Sequence, residues 1–134
     1  MAITADTLTL FSGSRRKVYR FTAIQDAVAA DETAVVKVDK STLTGLNGVE
    51  PGRLAIEKIR WTMQGFNSIR VLFDHTTDDE AVVLNGTRGE LDYTDIGGLV
   101  DPASAGTTGD ILFTTQGGAA QATYTVDLYL RLKD

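Results

Sequence analysis

The chain has no cysteine, one histidine, one tryptophan and two prolines in 134 residues. Without cysteine there is no disulfide, no thiolate zinc site and no thiol catalysis, so the fold must rest on packing and backbone hydrogen bonds. The redox compartment stays open. No apolar run approaches the ~18 residues of a membrane span, and residues 1–6 lack the basic start of a signal peptide. The chain is therefore expected to be made and used without crossing a membrane by the Sec route, and no membrane partner is expected. Thirteen basic residues stand against eighteen acidic ones, a net charge of −5, which argues against nucleic acid as the main partner.

What is present fits strands and turns. Thirteen glycines and a 43% apolar share suit a packed strand-and-turn chain better than a disordered one, and the length fits one domain over residues 1–134. In the last stretch Ala122, Tyr124, Val126, Leu128, Leu130 and Leu132 alternate with Thr123, Thr125, Asp127, Tyr129, Arg131 and Lys133. That period of two is a long half-buried strand, and it is expected to be central.

Earlier strands follow the same logic. Residues 7–11 alternate, and residues 17–23 put Tyr19, Phe21 and Ala23 on one face and Arg20 on the other. Residues 24–30 are a loop or one helical turn. Residues 33–38 form a strand with Val36 and Val38 opposite in facing to Val35. Over residues 53–63, Ile59, Trp61 and Met63 share a face, which makes Trp61 a core residue. Ile69, Val71 and Phe73 are the inward set of the next strand, and Asn85-Gly86 reads as a hairpin turn after residues 81–84. Residues 90–93 and 110–115 supply further strands. Glycine and proline punctuation makes residues 40–53 and 94–109 two long loops. The resulting fold class is all-β: an antiparallel double-sheet sandwich of jelly-roll type with eight or nine strands, an immunoglobulin-like sandwich being the alternative. Residues 1–6 read as an N-terminal arm.

Candidate chemistry is sparse. A serine nucleophile needs a base, and His75, between Asp74 and Thr76, reads as a solvated loop residue. None of Ser12, Ser14, Ser41, Ser68 or Ser104 sits in a Gly-x-Ser-x-Gly elbow. Asp74, His75, Asp78, Asp79 and Glu80 form an acidic tip of the kind that can hold calcium, but the spacing is not that of an EF-hand loop, and a solvated turn is expected. Gly97-Gly98 and Gly117-Gly118 lack the lysine of a phosphate loop. No enzyme activity, metal or cofactor is expected. Arg15, Arg16 and Arg20 form a basic cluster with Lys17, which reads as a solvated edge whose charge discourages stray strand pairing or, as the functional alternative, as a surface that meets an acidic one on a neighbouring subunit bearing Asp78, Asp79 and Glu80.

From Asp74 onward the order of short motifs is distinctive: residues 74–80, Leu84-Asn85-Gly86, Leu91-Asp92-Tyr93, Gly97-Gly98-Leu99-Val100-Asp101-Pro102, Gly109-Asp110-Ile111-Leu112-Phe113-Thr114-Thr115 and Tyr124-Thr125-Val126. This half of the chain resembles small structural proteins of tailed bacteriophages. The resemblance implies a capsid cement or decoration protein, a β-sandwich on the outside of the head that binds the major capsid protein, commonly as a homotrimer. It also implies localisation to the capsid surface of the virion after synthesis in the host cytoplasm. Another virion component, in the tail or head-to-tail connector, and a carbohydrate-binding sandwich using Tyr93 and Tyr129 are the alternatives.

Overall fold

In the computed structural model, which describes residues 3–13, 15–26, 31–44, 48, 50–102 and 108–133, the alternating C-terminal stretch becomes β10 (Thr123–Lys133). It pairs antiparallel with β2 (Arg16–Gln25) along one edge and with β4 (Arg53–Gln64) along the other. The register sets apolar residues in rows across the three strands: Phe21, Val126 and Trp61 in one, Ala23, Tyr124 and Met63 in the next. All six are buried. β1 (Ile3–Ser12) extends this sheet beyond β2, β7 (Arg88–Asp92) closes its other side, and the two-residue β8 (Leu99–Val100) also pairs with β4.

A second sheet faces the first. It is built from β3 (Val35–Val38), β9 (Ile111–Gln116), β5 (Ser68–Phe73) and β6 (Asp79–Asn85), in that order and antiparallel throughout. Ile69, Val71, Phe73, Leu84, Ile111 and Phe113 from this sheet share one apolar cluster with Phe21, Ile59, Trp61, Tyr124, Val126 and Leu128 from the other. Rings join the layers: Phe21 meets Phe113 edge-on at 5.5 Å, and Tyr124 stands 6.1 Å from Phe113 and 5.7 Å from Phe66. Such pairs add about 0.5–1.5 kcal/mol each beyond the area they bury. The chain crosses between sheets from β2 to β3, β3 to β4, β4 to β5, β6 to β7, β8 to β9 and β9 to β10.

The all-β antiparallel sandwich expected from the sequence is therefore present, and β10 is central. Several details differ. The described residues hold ten strands; β8 lies inside the stretch 94–109 that reads as a loop. Residues 3–6 of the expected N-terminal arm belong to β1, where Ile3 pairs with Gln25 and Asp6 with Thr22, while residues 1–2 lie outside the described ones, as do 27–30. Asn85-Gly86 does not close a hairpin, because β6 and β7 lie in different sheets; turn chemistry fixes a local bend and not the strand's destination. Val36 and Val38 do not share a face: the ladder shifts register between them, leaving Val36 exposed and Val38 buried, as a β-bulge requires.

Trp61 is a core residue, 9% exposed, with its indole N–H donated to the Asn85 carbonyl at 3.1 Å. Its ring lies over Gly89, directly opposite on β7. A Cβ at that glycine would sit 2.4 Å from Trp61 Cζ2, so the ring and a side chain cannot both occupy the space. Gly89→Ala is expected to cost about 1–3 kcal/mol through overpacking, read as a lower urea midpoint with an unchanged slope. An unshifted midpoint would show that the ring moves aside freely.

Candidate functional site

Three polar assemblies are the candidates for a site. The first is on the outer face of the first sheet. Period-two alternation sends Arg20, Asp127, Arg60 and Glu90 outward, and the register aligns them across β2, β10, β4 and β7. Arg20 forms a two-pronged pair with Asp127, at 2.8 and 3.0 Å. Lys58 reaches Glu90 at 2.8 Å and stands 5.4 Å from the Tyr129 ring. Arg20, Arg60, Arg88, Glu90, Thr125 and Asp127 line an open groove of about 570 Å³. Three guanidinium groups against two carboxylates give a cationic lining in an acidic protein, suited to an anionic or hydroxyl-rich partner.

The second assembly contains His75. Its side chain is 0% exposed, with Nε2 2.7 Å from Asp101 Oδ1 and Nδ1 2.6 Å from Asp79 Oδ2. Its backbone N–H donates to Asp78 Oδ1 at 3.1 Å. The expectation of a solvated loop histidine is thus corrected: Asp101, 26 residues away, arrives from the segment after β8 and closes over the ring. Burial alone lowers the His75 pKa, but the hydrogen bond and charge of Asp101, followed by those of Asp79, outweigh it, and the net direction is up. A carboxylate beside each nitrogen favours the protonated ring, which has no lone pair to offer a nucleophile, and the ring ties the two carboxylates together.

Both long loops meet at this end of the sandwich. Asp74 N–H donates to the Asp110 carbonyl at 3.0 Å, Thr108 N–H to the Asp74 carbonyl at 3.1 Å, and Lys40 N–H to Asp110 Oδ1 at 2.9 Å. Among the described residues no group of three or more histidines and carboxylates is placed to hold a metal ion.

The third assembly is internal. Lys37 Nζ lies 2.6 Å from Glu32 Oε2, both side chains being 6% exposed, and Tyr124 donates its hydroxyl to Glu32 Oε1. The same ammonium is 5.8 Å from the centres of the Phe113 and Tyr124 rings. Burial, then the hydrogen bond and charge of Glu32, push the Tyr124 phenol up, so it remains a donor.

The predicted interface residues are scattered. Arg15 is exposed, Arg16 pairs with Glu57 at 3.3 Å, and Arg20 is engaged by Asp127. Asp78 and Asp79 are drawn to His75, and Glu80 pairs with Arg70 in the second sheet. Most of these charges have partners within their own chain. Sequence reasoning missed the outer-face groove, although Arg60 and Asp127 were legible as outward positions; only the register brings them beside Arg20.

Compared with known proteins, the chain matches no family model and no curated sequence. No helix among the described residues is long and apolar enough to cross a membrane.

The His75 tie generates a pH dependence of stability. A raised folded pKa means that the folded protein holds the proton more tightly than the unfolded chain does. The stabilisation is therefore complete below about 6.5, the free imidazole value, and is lost as pH rises through the higher folded value. His75→Ala is expected to cost about 3 kcal/mol at pH 6, because it leaves Asp101 buried without its counter-charge, and clearly less at pH 9. Urea titrations of both proteins across this range check the sign; a loss that is equal at both ends would show that the ring contributes packing alone.

Proposed function

We propose that this chain is a structural protein of a tailed-phage particle, most specifically a cement protein that binds the outside of the head and works as a homo-oligomer. The observation that carries the reading is the strand order. With β1 and β8 set aside, eight strands remain in the orders β2-β10-β4-β7 and β3-β9-β5-β6, with crossings between sheets of the kind two Greek keys produce. This supports a jelly roll, an architecture used by viral capsid proteins and by lectins. The step from architecture to role is an analogy of fold, joined by the motif order from Asp74 onward. The commitment of both His75 nitrogens to carboxylates supports a non-catalytic role.

A cement protein stabilises a shell by binding its assembled form better than its dissociated subunits. At a free concentration 100-fold above Kd, each occupied site adds about 2.7 kcal/mol to the assembled state. Linking copies through an oligomer raises the effective concentration for each further contact, so individual interfaces need not be large.

A carbohydrate-binding module is the second reading, favoured by the polar groove under Arg20, Arg60 and Arg88 with Tyr129 beside Lys58. One experiment separates the two. Purified protein is mixed with undecorated tailed-phage heads, and with a glycan array. Co-sedimentation with heads at a fixed ratio, weakened by salt and raising the temperature of head disruption, is expected. Protein that stays in the supernatant while binding glycans would overturn the virion reading.

A further inference from the structure

The two sheets end in four principal edge strands, three of which carry features that discourage pairing with another chain. β7 exposes Arg88, Glu90 and Asp92. β6 begins with Asp79 and Glu80 and has a register shift against β5. β3 is four residues long, contains Lys37 and is bulged. Charge, bulges and shortness are the usual devices that protect a sheet edge.

β1 is different. It runs ten residues with one charged side chain, Asp6, no lysine and no proline. Among the described residues only β2 pairs with it, and the ladder is regular from Ile3 to Thr9 before a bulge. The Thr7 N–H turns to the Asp6 carboxylate at 2.9 Å, which marks the row of amides facing away from β2; by the period of two, Ala5 and Thr9 lie on the same row. Leu8 and Phe11 are each 56% exposed and Ile24, on the adjacent strand, 60%. Apolar side chains of this size beside an unpaired backbone edge favour strand addition.

We propose that β1 is a self-association edge, pairing antiparallel with β1 of a second copy about a two-fold axis normal to the sheet. Charge and facing select this occupant and its register. A continuous sheet must place outward side chains opposite outward ones, so the axis falls on a residue. Centring on Asp6 would set two carboxylates opposite each other, which is repulsive. Centring on Thr7 would set each Asp6 opposite the Leu8 of the other copy, whereas centring on Leu8 separates the carboxylates and brings the two copies of Leu8 together on the outer face. The contact is two-fold, not the threefold one that the phage resemblance implies, and it stands whether or not the protein coats a shell.

Light scattering at high micromolar concentration tests it, with a single-cysteine scan in a chain that has no cysteine of its own. The expected species has about twice the 14.4 kDa chain mass. Leu8→Cys should form a symmetric disulfide under mild oxidation, whereas Thr4→Cys should not. Leu8→Lys, at an exposed position, should weaken association on the order of 100-fold by opposing like charges, with an unchanged circular dichroism spectrum. A monomer or a trimer overturns the proposal, and so does a dimer that is indifferent to Leu8→Lys or cross-links equally at both positions.

Discussion

Backbone pairing along both edges of β10 is the constraint from which the rest follows. A strand hydrogen-bonded on both sides cannot slip by one residue without turning Tyr124, Val126, Leu128 and Leu130 out of the core, and these are among the most completely buried side chains. The fixed register of β10 fixes β2 and β4 beside it, and with them the rows that the second sheet covers. It also fixes where the Tyr124 hydroxyl points. Glu32 accepts from that hydroxyl and in turn holds Lys37, while Glu32 N–H and C=O are bonded to Thr115 on β9. One strand therefore positions the polar elements of both layers.

The internal cluster illustrates the division between stability and specificity. Removing an ammonium and a carboxylate from water is costly, and their attraction recovers that cost only with good geometry and further hydrogen bonds. Glu32 has both: the ammonium on one oxygen and the phenol on the other. An alternative packing that separated the three would leave a buried charge uncompensated. The cluster therefore penalises the wrong placement of β3, a short, bulged strand with few apolar contacts to hold it.

The alternating strands were legible because one wet face and one dry face impose a period of two on composition. β10, the second half of β4 and the start of β5 follow it, whereas Ile111, Leu112 and Phe113 on β9 are buried in succession. The failures share a different cause. Asn85-Gly86 makes a turn in either event, but whether β7 continues the second sheet or crosses to the first is decided by pairing with Lys58 to Thr62 on β4, which no local signal encodes. His75 looked solvated because its burial depends on Asp101, and Arg20 looked available because Asp127 lies 107 residues further on. Val36 and Val38 looked alike because a bulge changes the parity of a strand without changing its composition. Charges are thus the least legible feature of a sheet protein: their partners are set by register.

The placement of the two outward surfaces has a geometric consequence. The loop end, where Asp74, Asp110 and Lys40 meet, lies at the tips of the strands, whereas β1 forms a lateral edge. An antiparallel pairing of two β1 strands reverses strand direction, so the loop ends of the two copies point opposite ways and cannot both rest on one shell. The same two-fold axis keeps the outer faces of the two first sheets on one side. A paired particle protein would therefore meet its shell through those faces, placing two copies of the groove lined by Arg20, Arg60 and Arg88 side by side. Such a surface engages acidic groups by Coulomb attraction and two-pronged arginine contacts. The loop ends would then be left to neighbours along the surface, and the groove, not the loops, would determine which shell is recognised.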